Sequence, residues 1–192
     1  MLWIEPIIED LSNKYKKLIV YTKFTCLFDN YPAGNVVFKN KLNFIDKLLI
    51  GFDTFFSTSL FSINLDMSYE KDAQKHILLA YFKKAGLPEK RVYPKLFLSG
   101  NEKDAFFVKK PYLVVHLSAS STTKNFRNAF GIDWNTVIHY AADAGFEIIE
   151  IGDSPGKFPQ FFKKTTIREA ISILSGSAFF IGLDSGPSHI AA

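Results

Sequence analysis

The chain has 192 residues, room for one large domain or two small ones, and its 47% apolar and 22% charged fractions are those of an ordinary globular protein. A single cysteine, Cys26, excludes an internal disulfide and makes a reducing compartment the default, and no apolar run approaches the roughly 20 residues of a bilayer-spanning helix. The net charge of +4 is uneven: residues 1–110 hold 17 Lys/Arg against 12 Asp/Glu, and residues 111–192 hold 6 against 7. A basic first half suits an acidic partner such as an anionic glycolipid or a membrane surface. A solvated, lysine-rich face explains it equally well, because the lysines are scattered.

In chain order, the opening MLWIEPIIEDLSNKYKK is acidic before it is basic and has no small-residue cleavage site, so it is no signal peptide. Pro6 suits a first helical turn, and Ile7, Ile8, Leu11 and Tyr15 share one face. LIVYT (18–22), NVVF (35–38) and FSINLDMS (61–68) read as strands, the second after a turn signal at Asn30–Gly34. DAQKHILLAYFKKAGL (72–87) reads as a helix capped by Asp72 and stopped by Gly86. PKLFLS (94–99) is a short extended segment, and 101–111 a linker or inter-domain helix.

From residue 111 the pattern is regular. YLVVHLS (112–118) is a strand, followed by the polar loop ASSTTKNFRNAFG and a helix capped by Asp133 and ended by Gly145. FEIIEIG (146–152) is a strand. Thr166 and Glu169 form a capping box for IREAISILSG, and AFFIG (178–182) is a further strand before LDSGPSH and a helix start. Strand, loop and helix in repetition predict a parallel sheet with helices on both faces. Three strands make a thin core for a doubly wound domain, and the last helix stops within its first turn. Both ends therefore read as cut, with a complete single domain as the alternative.

Ligands of parallel α/β sheets bind at the carboxyl ends of strands. Gly182 to His189 stand there. Gly186 allows close backbone approach or a positive φ, Pro187 presets a helical turn, and backbone N–H groups near Ser185, Gly186 and Ser188 suit a phosphate. Asp184 suits sugar or ribose hydroxyls and His189 a phosphate oxygen. The plainer reading makes Asp184 or Ser185 an N-cap and His189 a packed residue. Ser118, Ser120 and Lys124 lie in a loop on the same sheet edge, with hydroxyl and cationic groups fit for phosphate, or form an ordinary polar loop. Gly152-Asp153-Ser154-Pro155-Gly156 reads first as a turn. His76 reads as a surface residue, His116 as core or site-adjacent, His139 as structural. No metal-ligand spacing, dinucleotide fingerprint, Walker loop or hydrolase elbow is present, and the basic–aromatic interleaving around Lys124 is too short for nucleic acid.

FFIGLDSGPSHIAA resembles the C-terminal motif of glycosyltransferase family 9, the heptosyltransferase-type enzymes of lipopolysaccharide core assembly. YLVVHLSASSTTKNFRNAFGIDW resembles that family's first C-terminal strand and phosphate loop, and LDMSYEKDAQKHILLAYFKKAGL a segment of its N-terminal domain. The resemblance implies an α/β, GT-B-like fold of two Rossmann-like domains with mainly parallel sheets, both incomplete here: 1–110 on the acceptor side and 111–192 binding a nucleotide-sugar, often ADP-heptose. It implies that Ser118 and Ser120 contact phosphate, Lys124 neutralises it, the Ser185 and Gly186 backbone holds the diphosphate, Asp184 binds the donor sugar and His189 supports the phosphate. It implies metal-independent sugar transfer without a cofactor, onto a lipopolysaccharide core or related anionic glycolipid. The location implied is cytoplasmic, peripheral at the inner membrane face, with no nucleic acid bound. The family's general base is an Asp on a Gly-rich N-terminal loop that this sequence lacks, so no catalytic residue is assigned and the chain alone is expected to be inactive. A non-catalytic nucleotide- or glycan-binding module of the same fold is the alternative, and another sugar-nucleotide enzyme of this architecture, such as an epimerase, a third.

Overall fold

The computed structural model describes residues 2–56, 58, 62–66, 68–70, 74–106, 108–117 and 131–192. The chain forms two compact units, Met1–Phe97 and Leu98–Ala192.

In the first unit, α1 (Glu5–Lys14) carries Pro6 in its first turn and buries Ile7, Ile8 and Leu11, as its apolar spacing predicts, while Tyr15, expected on the same face, is the exposed C-cap. β1 (Leu18–Tyr21) pairs in parallel with β2 (Val36–Lys39), Leu18 opposite Val36. Phe28 stacks on Phe38 of β2 with ring centroids 4.6 Å apart. α2 (Phe44–Phe55) has no counterpart in the sequence reading; Asn43 caps it, its Oδ1 accepting from the Asp46 N–H at 2.7 Å. α3 (Ile77–Lys84) begins later than expected. His76 is its cap, Nδ1 accepting from the Leu78 N–H at 3.2 Å, and the proposed cap Asp72 lies outside the described residues. His76 is therefore a surface residue as expected, but it stands at the helix start as its cap instead of inside the helix. Gly86, at φ +65°, ends α3 as expected.

Two strand readings change. The described residues of 61–68 form no strand, and 94–99 stays outside any ladder. The latter is held instead by the buried Glu5 carboxylate, which accepts from the Lys95 N–H at 2.9 Å. A short apolar run reads as a strand whether or not a neighbouring edge exists to pair it.

The second unit is a four-stranded parallel sheet in the order β5-β4-β3-β6, built from β3 (Tyr112–His116), β4 (Glu147–Gly152), β5 (Phe162–Lys164) and β6 (Phe179–Gly182). β5 was not expected. It is a short edge strand whose two lysines hide it from hydropathy. On one face Tyr112, Val114, Ile149 and Ile151 pack on Ala170, Ile173 and Leu174 of α6 (Ile167–Ser175). On the other, Leu113, Val115, Leu117 and Ile148 pack on Ile138 of α5 (Trp134–Asp143) and on Phe158. Both faces are covered, which is why β3 and β4 read as near-continuous apolar runs. The Asp133 cap of α5 and the Thr166/Glu169 capping box of α6 form as predicted.

The division at 97/98 differs from the expected 110/111 for a clear reason. Ser99 and Glu102 make a capping box for α4 (Gly100–Asp104). The Glu102 carboxylate takes Arg168 of α6 bidentately, at 2.6 and 2.7 Å, and the Ser172 hydroxyl donates to the Glu102 carbonyl. Phe106 and Val108 pack on the α6 face of the core. Residues 98–110 thus belong to the second unit.

Candidate functional site

In chain order the sheet grows from β3 to β4 to β5 on one side, then returns to place β6 on the other side of β3. The reversal makes the β3/β6 boundary the topological switch point, where diverging connections open a crevice beyond the strand ends. β3 ends there at His116, paired with Gly182 of β6, and the Leu183 N–H donates to the His116 carbonyl at 3.1 Å. A Cβ on Gly182 would sit 2.3 Å from the Phe180 ring and 3.2 Å from the His116 carbonyl, so a side chain here would have to displace that ring and press on β3.

The buried Leu183 anchors the next loop, and Asp184 and Ser185 lead into α7 (Gly186–Ala191) with Pro187 in its first turn. The Ser188 hydroxyl accepts from the Ser185 N–H at 2.9 Å and donates to its carbonyl at 2.7 Å. That leaves the Ser185 hydroxyl turned toward the sheet, 3.1 Å from His116 Nδ1. Gly186 does not have a positive φ; its Cβ position is open space, with nothing within 4 Å. Close approach from outside is therefore the property that glycine confers here. Asp184 and His189, both exposed, face each other with Oδ1 and Nε2 3.5 Å apart. The pair is ionic only when His189 is protonated and contributes little stability at the surface.

His116 is half-buried, and burial lowers its pKa below the usual histidine value, although the Glu150 and Asp153 carboxylates pull the other way. It is a neutral imidazole at neutral pH. Glu150, on β4, is 1% exposed and accepts from the N–H groups of Gly156, Lys157 and Phe158 at 3.1, 2.9 and 3.2 Å. It folds the loop after β4 back onto the strand end. Gly152, at φ +156°, places its Cβ position 3.9 Å from the His116 ring. The turn reading of 152–156 thus describes the loop, with Glu150 as its organiser.

Of the residues expected at the site, the structure brings Asp184, Ser185, Gly186 and His189 to the switch point; Ser118, Ser120 and Lys124 lie outside the described residues. His139 sits on α5 with Nδ1 2.9 Å from the Asn135 carbonyl. Sequence reasoning missed Glu150, whose one signal was a lone carboxylate among the apolar residues of FEIIEIG, and the pairing of His116 with Ser185. Among the described residues no group of three or more His, Cys, Asp or Glu side chains could hold a metal ion. The arrangement offers an uncharged, hydrogen-bonding floor beside exposed backbone at Gly186, with a carboxylate and an imidazole on the rim. It suits a ligand that combines an anionic group with hydroxyls.

Comparison with known proteins places the chain in a family. The family model for glycosyltransferase family 9 (heptosyltransferase) matches residues 44–192. The autotransporter heptosyltransferase Aah of Escherichia coli is 24% identical over 110 residues, covering 51% of this chain and 27% of that protein. Among solved structures, the dodecameric, iron-containing glycosyltransferase TibC of enterotoxigenic E. coli superposes with a TM-score of 0.65 at 18% identity, over 99% of this chain and 51% of that one. TibC has also been seen in complex with ADP-D-β-D-heptose. E. coli WaaC, a heptosyltransferase with bound ADP-2-deoxy-2-fluoro heptose, gives 0.59 at 12% identity, over 99% of this chain and 81% of that one. The fold is thus of the expected GT-B-like α/β class with parallel sheets. This chain spans about half the length of TibC, and its match to Aah covers about a quarter of that protein. The described residues do not fit the iron for which TibC is named.

Proposed function

Because the chain belongs to glycosyltransferase family 9, we propose that its second unit holds an ADP-linked heptose for transfer to an acceptor hydroxyl, the diphosphate resting against the backbone at Ser185 and Gly186. The observation that carries this is the switch-point geometry: β3 and β6 bring His116 to Ser185 beside the open backbone of Gly186. In this reading Asp184 accepts from hydroxyls of the donor sugar and His189 supports the phosphate. Ser118 and Ser120 contribute hydroxyls and Lys124 a charge. Transfer breaks the bond from the sugar's anomeric carbon to the diphosphate as the acceptor oxygen attacks that carbon. Backbone N–H groups and Lys124 take up the charge that develops on the departing ADP, in place before the reaction begins. The acceptor proton leaves to a base that no residue of this chain is assigned to be.

The ADP-heptose ligands of TibC and WaaC support the donor. The acceptor is a lipopolysaccharide core or related glycan in the resemblance to core enzymes, while likeness to a protein named as an autotransporter heptosyltransferase favours a protein hydroxyl. Transfer is proposed to be metal-independent and to occur in the cytoplasm. The first unit serves the acceptor side.

Calorimetric titration with ADP tests the site. Binding that weakens about tenfold or more in Asp184→Ala with ADP-heptose, and in Lys124→Ala with either ligand, supports it. Equal affinities in all three proteins remove the residue assignments. A protein that binds ADP-heptose but transfers to no glycan or protein acceptor, even with the whole reading frame expressed, is a binding module. Loss of transfer on chelation would end the metal-independent reading.

A further inference from the structure

Of the four histidines, His76 and His139 bond the backbone of their own helices and His189 faces Asp184. His116 alone reaches across the sheet end to a hydroxyl of another element. Its half-buried ring has neighbours on both edges. The Cδ2–Nε2 edge lies beside Gly152 of β4, whose Cβ position is 3.9 and 4.0 Å from those two atoms. The opposite edge presents Nδ1 to the Ser185 hydroxyl at 3.1 Å.

That hydroxyl stands where donors are scarce. The Ser185 N–H is spent on the Ser188 hydroxyl, whose own proton goes back to the Ser185 carbonyl, and Pro187 has no N–H. The Ser185 proton is therefore the hydroxyl proton of 184–189 that is not committed to backbone, and it lies next to the open backbone of Gly186. His116 decides where it points. A neutral imidazole holds one proton, on Nε2 or on Nδ1, and a serine hydroxyl has one proton and two lone pairs. With Nδ1 bare, the ring accepts the Ser185 proton, and the hydroxyl turns only lone pairs to the crevice, which repel an anion. With Nδ1 protonated, the ring donates to Oγ and the Ser185 proton is free to turn outward to a phosphate oxygen. Among the described residues Nε2 has no hydrogen-bond partner to pin the proton there, and the Glu150 carboxylate is occupied by three backbone N–H groups. We propose that His116 is a positioning residue for a nucleoside diphosphate, carrying its proton on Nδ1 in the complex and aiming the Ser185 hydroxyl at a phosphate oxygen. The role rests on the donor site proposed above. The ring exchanges the proton of one nitrogen for that of the other through water, with no change in charge.

Two-bond proton–nitrogen NMR of the purified chain reads both ring nitrogens directly, with His116→Asn identifying the His116 signals. With saturating ADP at neutral pH, Nδ1 of His116 is expected to carry the proton. Calorimetric titration with ADP gives a second readout. Ser185→Ala should weaken binding about tenfold or more, because a hydrogen bond to a charged group is lost. His116→Leu should weaken it at least about threefold in the otherwise unaltered chain, because the hydroxyl is no longer held in one rotamer, and not at all in the Ser185→Ala background. His116→Asn, whose amide N–H stands in for Nδ1–H, should restore most of that loss. Circular dichroism checks that the variants fold, and the ring readout on the unaltered chain decides the matter even where His116→Leu does not. Absence of ADP binding by the unaltered chain defeats the donor site and this role with it. ADP binding with Nδ1 bare, or equal losses from His116→Leu in both backgrounds, overturns the role of His116 and leaves the donor site standing.

Discussion

Glu150 offers the sharpest test of how the second unit is built. Its carboxylate is 1% exposed and accepts three backbone N–H groups, Oε2 from Gly156 and Phe158 and Oε1 from Lys157, at 2.9–3.2 Å. Each hydrogen bond to a charged group contributes about 1.5–3 kcal/mol, and each donor left buried without an acceptor costs about 1–3 kcal/mol. Glu150→Ala removes all three bonds. Opening of the loop lets water satisfy part of the deficit, so the expected loss is about 3–5 kcal/mol. Glu150→Gln keeps an acceptor for Gly156 and Phe158 but turns an NH2 group toward the Lys157 N–H. The expected loss is then about 1.5–3 kcal/mol. Urea unfolding measures this, followed by the fluorescence of Trp134 in the second unit with Trp3 of the first replaced by Phe. With a urea slope of about 2 kcal/mol/M, the Ala variant should lower the midpoint by about 1.5 M or more. A loss below about 0.5 kcal/mol in Glu150→Ala would refute the reasoning and make this carboxylate a bystander.

Three further outcomes follow from the same structure. Arg168 and Ser99 hold the Glu102 carboxyl down at about 2, so its stabilisation is complete above the ordinary carboxyl value of 4.5 and is lost as pH falls toward 2; Arg168→Lys, which cannot make the bidentate contact, should flatten that part of the acid-unfolding profile. His116 has a lowered pKa, so the folded state resists its protonation: stability is fully present above 6.5 and falls as pH drops through the histidine range toward the lower folded value, and His116→Gln should remove this dependence in pH-resolved unfolding. Gly182→Ala forces a Cβ to within 2.3 Å of the Phe180 ring, and thermal unfolding should show a loss of about 1–3 kcal/mol, partly restored by Phe180→Leu.

The second unit was largely legible because its local and global signals agree. The apolar runs of β3 and β4 are buried on both faces, and Asp133 and the Thr166/Glu169 pair stand at real helix starts. The boundary at 97/98 carried a readable sign too, the Ser99-x-x-Glu102 capping box, but the charges around it read as linker. The first unit was harder for physical reasons. α2 leaves large apolar residues exposed, against the rule that they face inward, and apolar residues at seven of its twelve positions hide its period. Residues 94–99 have strand composition but no ladder, a fact that resides in neighbours and not in the segment. At the site, the short motif 184–189 announced itself by position after a strand. The contact between His116 and Ser185 joins residues 69 apart in sequence, beyond the reach of any local pattern.

The proposed function places a nucleotide diphosphate at the start of α7. Backbone amide NMR during titration with ADP tests it most directly. Saturable shifts are expected to concentrate at Ser185, Gly186 and Ser188 and to pass to His116 through the Ser185 hydroxyl. Shifts that leave these amides unmoved while others respond to ADP would contradict it.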